Sequence, residues 1–269
     1  MRAETADSRT QPAVQVPIHV KGVSKSFMQN GVPLAVLDDV DFYASDGEFV
    51  CIIGPSGCGK STLLNIIAGL DRPSKGVISL HGRTLDSRLG EVGYMQQRDL
   101  LMPWRSVLDN AVIGLELKGV SKNEAHARAR ALLQDFGLAG FENEYPHALS
   151  GGMRQRAAFL RTVLADQEVF LLDEPFGALD ALTRSQIQEW LLGMWRRVQK
   201  TIVMVTHDVD EAIFLSDRVY VMSSRPGRMK LVQEVDLPRP RLLEMVTQPR
   251  FVELKALLLA SVRGEVTDG

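Results

Sequence analysis

The stretch Gly54-Pro-Ser-Gly-Cys-Gly-Lys-Ser-Thr62 fits the phosphate-binding pattern G-x-x-x-x-G-K-[ST]. It lies between an apolar run typical of a strand, Glu48–Ile53, and an amphipathic helical pattern, Ser61–Leu70. The same order of a short apolar run and a longer helical pattern recurs twice downstream: Val169–Leu172 with Ala181–Val198, and Thr201–Thr206 with Val209–Leu215. This alternation predicts an α/β fold with a mostly parallel sheet and crossover helices.

The residue types of this loop are those that wrap a phosphate. Its glycines let the backbone turn its N–H groups toward an anion at a helix start. In this pattern Lys60 reaches the β and γ phosphates, and the Ser61 hydroxyl binds Mg²⁺. A glycine-rich turn without a ligand is the alternative, which the flanking strand and helix disfavour. We predict nucleotide contacts for all nine residues: Gly54, Pro55, Ser56, Gly57, Cys58, Gly59, Lys60, Ser61 and Thr62.

Composition excludes several classes of protein. The 269 residues are 45% hydrophobic and 24% charged, as in globular proteins that bury a sizeable core. There are 31 Lys and Arg against 33 Asp and Glu, a net charge of −2 that is too balanced for a nucleic-acid partner. Two cysteines, Cys51 and Cys58, provide no disulfide framework, which favours a reducing cytosolic setting. A redox role for Cys58 competes with the simpler interpretation of a small residue tolerated in the loop.

The chain divides into three predicted regions. Residues 1–17 have no apolar core of a signal peptide and are expected to be a disordered tail. Residues 18–236 form the main domain, with an antiparallel β layer from Ile18–Phe27, Leu34–Tyr43 and Val77–Leu80, and an inserted helical lobe over about 99–165. Residues 237–269 form a helical extension, in which Pro-Arg-Pro-Arg at 238–241 is either a turn or a proline-rich ligand. No run is long enough to cross a membrane.

Two carboxylates end the apolar run Val169-Phe-Leu-Leu-Asp-Glu-Pro175. Asp173 is placed to hold the Mg²⁺ shell, and Glu174 is placed to accept a proton from an attacking water. Alone, such a pair would be interpreted as a solvated turn. A phosphate loop in the same chain favours the catalytic interpretation.

A second glycine pair occurs in Leu149-Ser-Gly-Gly-Met-Arg-Gln-Arg156, at the start of a predicted helix. Backbone N–H groups exposed there would form a second anion site. An ordinary turn with Ser150 as the helix N-cap is the alternative.

The order of these motifs, with Gln97, Ala178-Leu-Asp180 and His207, resembles the nucleotide-binding subunit of ATP-binding cassette transporters. The resemblance covers nearly the whole chain after the tail. It implies a P-loop NTPase core with a mostly parallel sheet, an antiparallel β layer and an inserted α-helical lobe. ATP and Mg²⁺ are the implied cofactors.

The resemblance also implies roles for particular residues. Phe27 would stack on adenine, although a half-buried strand aromatic is the alternative. Asp180 would cross to the opposing subunit of a homodimer, although it could be only a helix N-cap. The phosphate loop of one subunit would bind the γ-phosphate, and the other subunit would contact the same phosphate through Ser150, Gly151 and Gly152. The implied catalytic residues are Glu174, His207 and Gln97, and the implied metal ligands are Ser61, Gln97 and Asp173.

The partners implied are a separate transmembrane permease and, through it, a periplasmic or lipid-anchored solute-binding protein. The segment Leu100–Asn110 would dock the permease, with Trp104 either at that interface or in the lobe core. The motifs resemble importers of nitrate, sulfonates, taurine or a thiamine pyrimidine precursor, although Gln96 departs from the expected Phe or Pro. The chain would lie on the cytoplasmic face of the inner membrane. The alternatives are an exporter subunit and a soluble non-transport ATPase.

Overall fold

The computed structural model describes residues 16–177 and 179–263. The predicted tail lies outside them except for its last two residues. In chain order the elements are β1 (Ile18–Gln29), β2 (Val32–Ala44), β3 (Phe49–Ile53), α1 (Lys60–Ile67), β4 (Lys75–Leu80), β5 (Arg83–Thr84), β6 (Gly93–Met95), α2 (Val107–Ala111), α3 (Ile113–Leu117), α4 (Lys122–Leu133), α5 (Gly151–Leu164), β7 (Val169–Asp173), α6 (Ala181–Val198), β8 (Thr201–Thr206), α7 (Val209–Leu215), β9 (Arg218–Met222), β10 (Met229–Glu234) and α8 (Pro249–Arg263).

Two sheets confirm the predicted fold class. The larger has the order β10-β9-β3-β8-β7-β6, and its strands pair in parallel except for β10 against β9. The smaller is antiparallel, with the order β2-β1-β4-β5. Parallel pairing brings the carboxyl ends of β3, β7 and β8 to one edge, where ligands bind in open α/β sheets.

Strand β3 shows how the core is divided. All five residues are buried, and successive side chains point to opposite faces of the sheet. Phe49, Cys51 and Ile53 pack against the helices of the larger core. Val50 and Ile52 pack toward α1 and the antiparallel sheet. Burial on both faces fixes the strand that leads into the phosphate loop, and each fully buried Ile or Val contributes about 1.5–3 kcal/mol.

Predicted helix bounds hold for α6 and α7, whereas α1 is shorter than predicted. It ends at Ile67 rather than Leu70, because the chain turns at Gly69, whose N–H bonds the Ile66 carbonyl. Strands β9 and β10 were not predicted. Strand β10 is half exposed at the sheet edge and so lacks the continuous apolar run that marked the inner strands.

The lobe between β6 and β7 is helical, as expected, and contains α2 to α5. Serine hydroxyls cap helices of this lobe: for example, Ser106 accepts from the Asp109 N–H at 3.1 Å, and Ser121 accepts from the Glu124 N–H. Phe159 of α5 packs edge-to-face on Trp190 of α6, which joins the lobe to the rest of the domain. In the described part of the chain, no helix is long and apolar enough to span a membrane.

The Pro-Arg-Pro-Arg segment is a turn that ties the C-terminal extension to α7. Arg241 is only 5% exposed and donates to the carbonyls of Ile213, Phe214 and Ser216, at the end of α7, and to Val235. Burial, with the nearby charge of Arg239, lowers the pKa of Arg241 to about 10, so it stays charged at neutral pH.

We expect Arg241→Ala to lower the free energy of unfolding by about 3 kcal/mol, because several buried carbonyls lose their donor. Urea denaturation followed by circular dichroism measures this change. Arg250→Ala is the matched control: Arg250 lies in the same extension and pairs with Asp236 and Glu253 at the surface. An unfolding midpoint for Arg241→Ala equal to that of the control would contradict the prediction.

Candidate active site

The phosphate loop joins the end of β3 to the start of α1. Gly59 has a φ of +109°, and a Cβ there would lie 2.7 Å from a Leu37 methyl, so the position requires glycine. Lys60 is 6% exposed, and its ammonium donates to the carbonyls of Gly54 at 2.8 Å and Pro55 at 3.0 Å. The cation is thus held against the loop, where it can meet an anion bound by the backbone.

Six of the nine predicted loop residues line a cleft of about 690 Å³, within the usual size of ligand pockets. They are Ser56, Gly57, Gly59, Lys60, Ser61 and Thr62. Gly54, Pro55 and Cys58 are not among the lining residues. The Cys58 side chain is buried, and its Sγ lies 4.0 Å from the Lys60 ammonium. This placement agrees with a small residue packed behind the loop.

Asp173 lies at the carboxyl end of β7 and is 4% exposed. Its Oδ1 accepts from the Ser61 hydroxyl at 3.0 Å, and its Oδ2 accepts from the Tyr94 hydroxyl at 3.3 Å. Burial raises the pKa of Asp173, and the neighbouring Glu174 raises it further. Two of the three predicted metal ligands, Ser61 and Asp173, are therefore in direct contact although they lie 112 positions apart in the chain.

Sequence reasoning missed Tyr94 and Asn65, which extend this cluster. The Tyr94 hydroxyl lies 3.1 Å from Asn65 Oδ1 as well as near Asp173. Burial raises the pKa of Tyr94, with the Asp173 charge adding to the effect, so the phenol stays protonated and can donate. No local sequence pattern marks either residue: Tyr94 reaches Asp173 only because β6 pairs with β7, with Tyr94 opposite Leu171.

Two of the predicted catalytic residues, Gln97 and His207, converge on a carboxylate oxygen of the third, Glu174. Glu174 Oε2 accepts from Gln97 Nε2 at 3.3 Å and faces His207 Nδ1 at 3.2 Å. The Glu174 backbone has a φ of +44°, and its N–H donates to Val205 in β8. A left-handed conformation outside glycine costs about 1 kcal/mol or more and is typical of functional sites. It turns the carboxylate into the cleft, which Gln97 and Glu174 both line.

The far wall of the cleft comes from the antiparallel sheet and from a loop after β9. Phe27, 42% exposed, lines the cleft, and the Lys25 ammonium lies 4.7 Å from its ring centre. Sequence reasoning missed the other lining residues on this side: Gln29, Leu34, Val36 and Arg225. An apolar wall beside a phosphate loop suits a base attached to a polyphosphate.

The remaining predicted nucleotide contacts do not line this cleft. Ser150 accepts from the Met153 N–H at 3.2 Å and caps α5, and Asp180 accepts from the Thr183 N–H at 3.0 Å and caps α6. The latter bond lowers the pKa of Asp180. Gly151 and Gly152 follow in the first turn of α5. Within one chain Ser150 and Asp180 are helix N-caps, and the predicted second anion site is not part of the cleft.

The family model for the ABC transporter matches residues 37–177, which include the phosphate loop, the Ser150 segment and both carboxylates. The chain belongs to the ABC transporter family. ATP-binding proteins of this family are ATPases coupled to transport.

Several ABC transporter relatives match along most of the chain. An aliphatic sulfonates import ATP-binding protein from Bacillus cereus is 43% identical, over 90% of this chain and 94% of the relative. A taurine import ATP-binding protein from Pseudomonas aeruginosa is 42% identical, over 89% of this chain and 93% of the relative. A nitrate import ATP-binding protein from Synechocystis is 38% identical, over 93% of this chain and 97% of the relative.

A solved ABC transporter cassette has the same fold. The dimeric structure of a bacterial ABC transporter cassette is 32% identical, covers 82% of this chain and 100% of its own, and gives a TM-score of 0.73. A second dimeric structure of that cassette, in a post-hydrolysis state with ADP and Pi, gives a TM-score of 0.72 at 31% identity.

Proposed function

We propose that this chain hydrolyses ATP to drive a separate permease of a bacterial importer, for a small solute such as a sulfonate, taurine or nitrate. The observation that carries the proposal is the convergence of Gln97 and His207 on Glu174, at the edge of a cleft lined by the phosphate loop. The names of the sulfonate, taurine and nitrate relatives support the direction of transport and the class of solute.

The donor set beside the phosphate loop fits Mg²⁺. Ser61, Asp173 and the Gln97 amide offer hard oxygen ligands, which Mg²⁺ prefers, and it commonly completes its shell with waters and substrate phosphates. The described residues include no cluster of three or more His, Cys, Asp or Glu side chains that would make a protein-only cage. When bound, the ion neutralises charge on the β and γ phosphates.

Hydrolysis needs a water activated beside the γ-phosphate. Glu174 would accept the proton of that water, because its side chain lines the cleft and its backbone N–H is bonded to the Val205 carbonyl. Gln97 and His207 both contact the Oε2 oxygen of Glu174 and orient its carboxylate. Lys60 stabilises charge on the phosphates, and the backbone N–H groups of the loop add to this.

A homodimer would bring the two anion sites together. In the proposed head-to-tail arrangement, Ser150, Gly151 and Gly152 of one subunit complete the ATP site of the other, and Asp180 crosses between them. The separation of these residues from the cleft within one chain supports this arrangement, as do the dimeric structures of the similar cassette. ATP would close the dimer, and loss of the γ-phosphate would open it.

The permease is proposed to dock beside Gln97, on the segment Leu100–Asn110. Trp104 is 74% exposed, so the alternative that it fills the lobe core is wrong. Leu100 is also exposed, and its carbonyl accepts from Arg161 Nη1 at 2.7 Å, which ties the segment to α5. An exposed tryptophan on a segment held in place by hydrogen bonds is typical of the centre of an interface.

The docked chain would lie on the cytoplasmic face of the inner membrane, and a solute-binding protein would contact only the permease.

The test is recovery of a permease with the tagged chain from detergent-solubilised membranes of its own source. We expect an importer permease to copurify, and Trp104→Ala to reduce its recovery at least about tenfold. Val232→Ala is the control, because Val232 is an exposed apolar residue on β10, far from the segment in sequence. Recovery of an exporter subunit, or equal recovery with both variants, would contradict the proposal.

A further inference from the structure

A short loop, residues 223–228 between β9 and β10, packs directly on the phosphate loop. At its centre, Gly227 donates its N–H to Val36 at 2.9 Å, and its carbonyl accepts from the Asp38 N–H at 3.0 Å. A Cβ on Gly227 would lie 2.3 Å from the Cys58 carbonyl, so only glycine allows this approach. Backbone contacts therefore fix the 223–228 loop against both the phosphate loop and β2.

Arg225 extends from the 223–228 loop to the phosphate loop itself. Its Nε and Nη2 both donate to the carbonyl of Gly57, at 3.2 and 2.9 Å. These two bonds use one edge of the guanidinium, which has five N–H donors in a planar fork. The same side chain lines the cleft, together with Lys60 and the apolar wall at Phe27. Arg225 thus places a permanent positive charge in the cleft, anchored at the loop whose N–H groups wrap phosphate.

The chemistry of this position favours a phosphate over a base or a sugar. Guanidinium groups bind phosphate oxygens through paired charge-assisted hydrogen bonds. The base has an apolar wall of its own in Phe27, Leu34 and Val36. Because Gly57 belongs to the phosphate loop, a cation bonded to its carbonyl lies next to any polyphosphate that this loop binds.

We infer that Arg225 is a further nucleotide-binding residue, which holds the phosphate chain of ATP from the 223–228 loop. The inference rests on the proposed ATP site and adds to it a contact that none of the sequence motifs contains. A competing role is a purely structural brace, in which Arg225 only shapes the phosphate loop through the Gly57 carbonyl.

Three substitutions distinguish the two roles. Arg225→Ala removes both the charge and the bond, Arg225→Gln keeps a donor for Gly57 without the charge, and Arg225→Lys keeps the charge without the fork. Arg228→Ala is the matched control, because Arg228 lies in the same loop, pairs with Asp38 and is not among the residues that line the cleft.

The experiment measures the Kd of a fluorescent ATP analogue for the full chain, and of tripolyphosphate and adenosine by competition. We expect Arg225→Ala and Arg225→Gln each to weaken the binding of ATP and of tripolyphosphate about tenfold, and Arg225→Lys to weaken it less. The affinity for adenosine should be unchanged in all three variants. Arg228→Ala should bind all three ligands as the parent does. Parent-like ATP affinity in Arg225→Ala, or full restoration by Arg225→Gln, would overturn the inference. A parent chain that binds no ATP would instead refute the proposed function. Thermal melting verifies that each variant is folded.

Discussion

Glu174→Gln is expected to lower the steady-state rate of ATP hydrolysis by about 10² to 10⁴-fold, the contribution of a general base. The amide fills the same space, but it cannot take a proton from water. Phosphate release at saturating ATP measures the loss. Glu168→Gln is a matched control: Glu168 precedes β7, whereas Glu174 follows it, and Glu168 pairs with Lys200 away from the cleft. Hydrolysis by Glu174→Gln at the parent rate would show that the base is another group.

The same variant tests the dimer. If ATP lies between two subunits and only its cleavage separates them, Glu174→Gln chains should elute as stable dimers from a sizing column in ATP and as monomers without it. Adding Ser150→Arg should abolish these dimers while each chain still binds ATP, because Ser150 lies outside the chain's own cleft. Monomers with both variants would contradict the head-to-tail arrangement.

Lys60→Met is expected to weaken ATP binding by roughly 10³-fold. A unit charge pair at 4 Å is worth about 4 kcal/mol at an effective dielectric of 20, and each 1.4 kcal/mol corresponds to tenfold in affinity. Methionine keeps most of the apolar stem, so the core that buries Lys60 is preserved, but the bonds to Gly54 and Pro55 are lost. A fluorescent ATP analogue gives the Kd.

Lys75→Met is the control for Lys60→Met, since Lys75 is an exposed lysine on β4 and its loss changes the net charge equally. Circular dichroism shows whether each variant is folded. Binding by Lys60→Met within threefold of the control would mean that the backbone N–H groups alone hold the phosphates.

Sequence patterns predicted the parts of the site that are local. The phosphate loop is one continuous stretch, and the Asp173–Glu174 pair immediately follows an apolar strand. His207 follows β8 in the same way. Because parallel strands end at one edge, these three local patterns also implied that the groups would meet, as the contacts of Ser61 with Asp173 and of His207 with Glu174 show.

Other residues of the site have no local sequence pattern that marks them. Tyr94 and Asn65 are ordinary residues of a short strand and a helix, and only their approach to Asp173 gives them a place in the site. Arg225 lies 168 positions from Gly57 in the chain, and only the pairing of β9 with β3 brings them together. The roles predicted for Ser150 and Asp180 need a second subunit, so they stay predictions.

By itself, the sequence determined the family, the α/β alternation and the chemistry of the phosphate loop, because each depends on the order and spacing of neighbouring residues. Only the tertiary structure decided which distant groups meet at the site: it set the left-handed turn at Glu174, the contact of Asp173 with Tyr94, and the position of the Arg225 cation in the cleft. Sheet pairing and core packing set those distances. These interactions join residues that are far apart in the chain and leave no periodic signal along it.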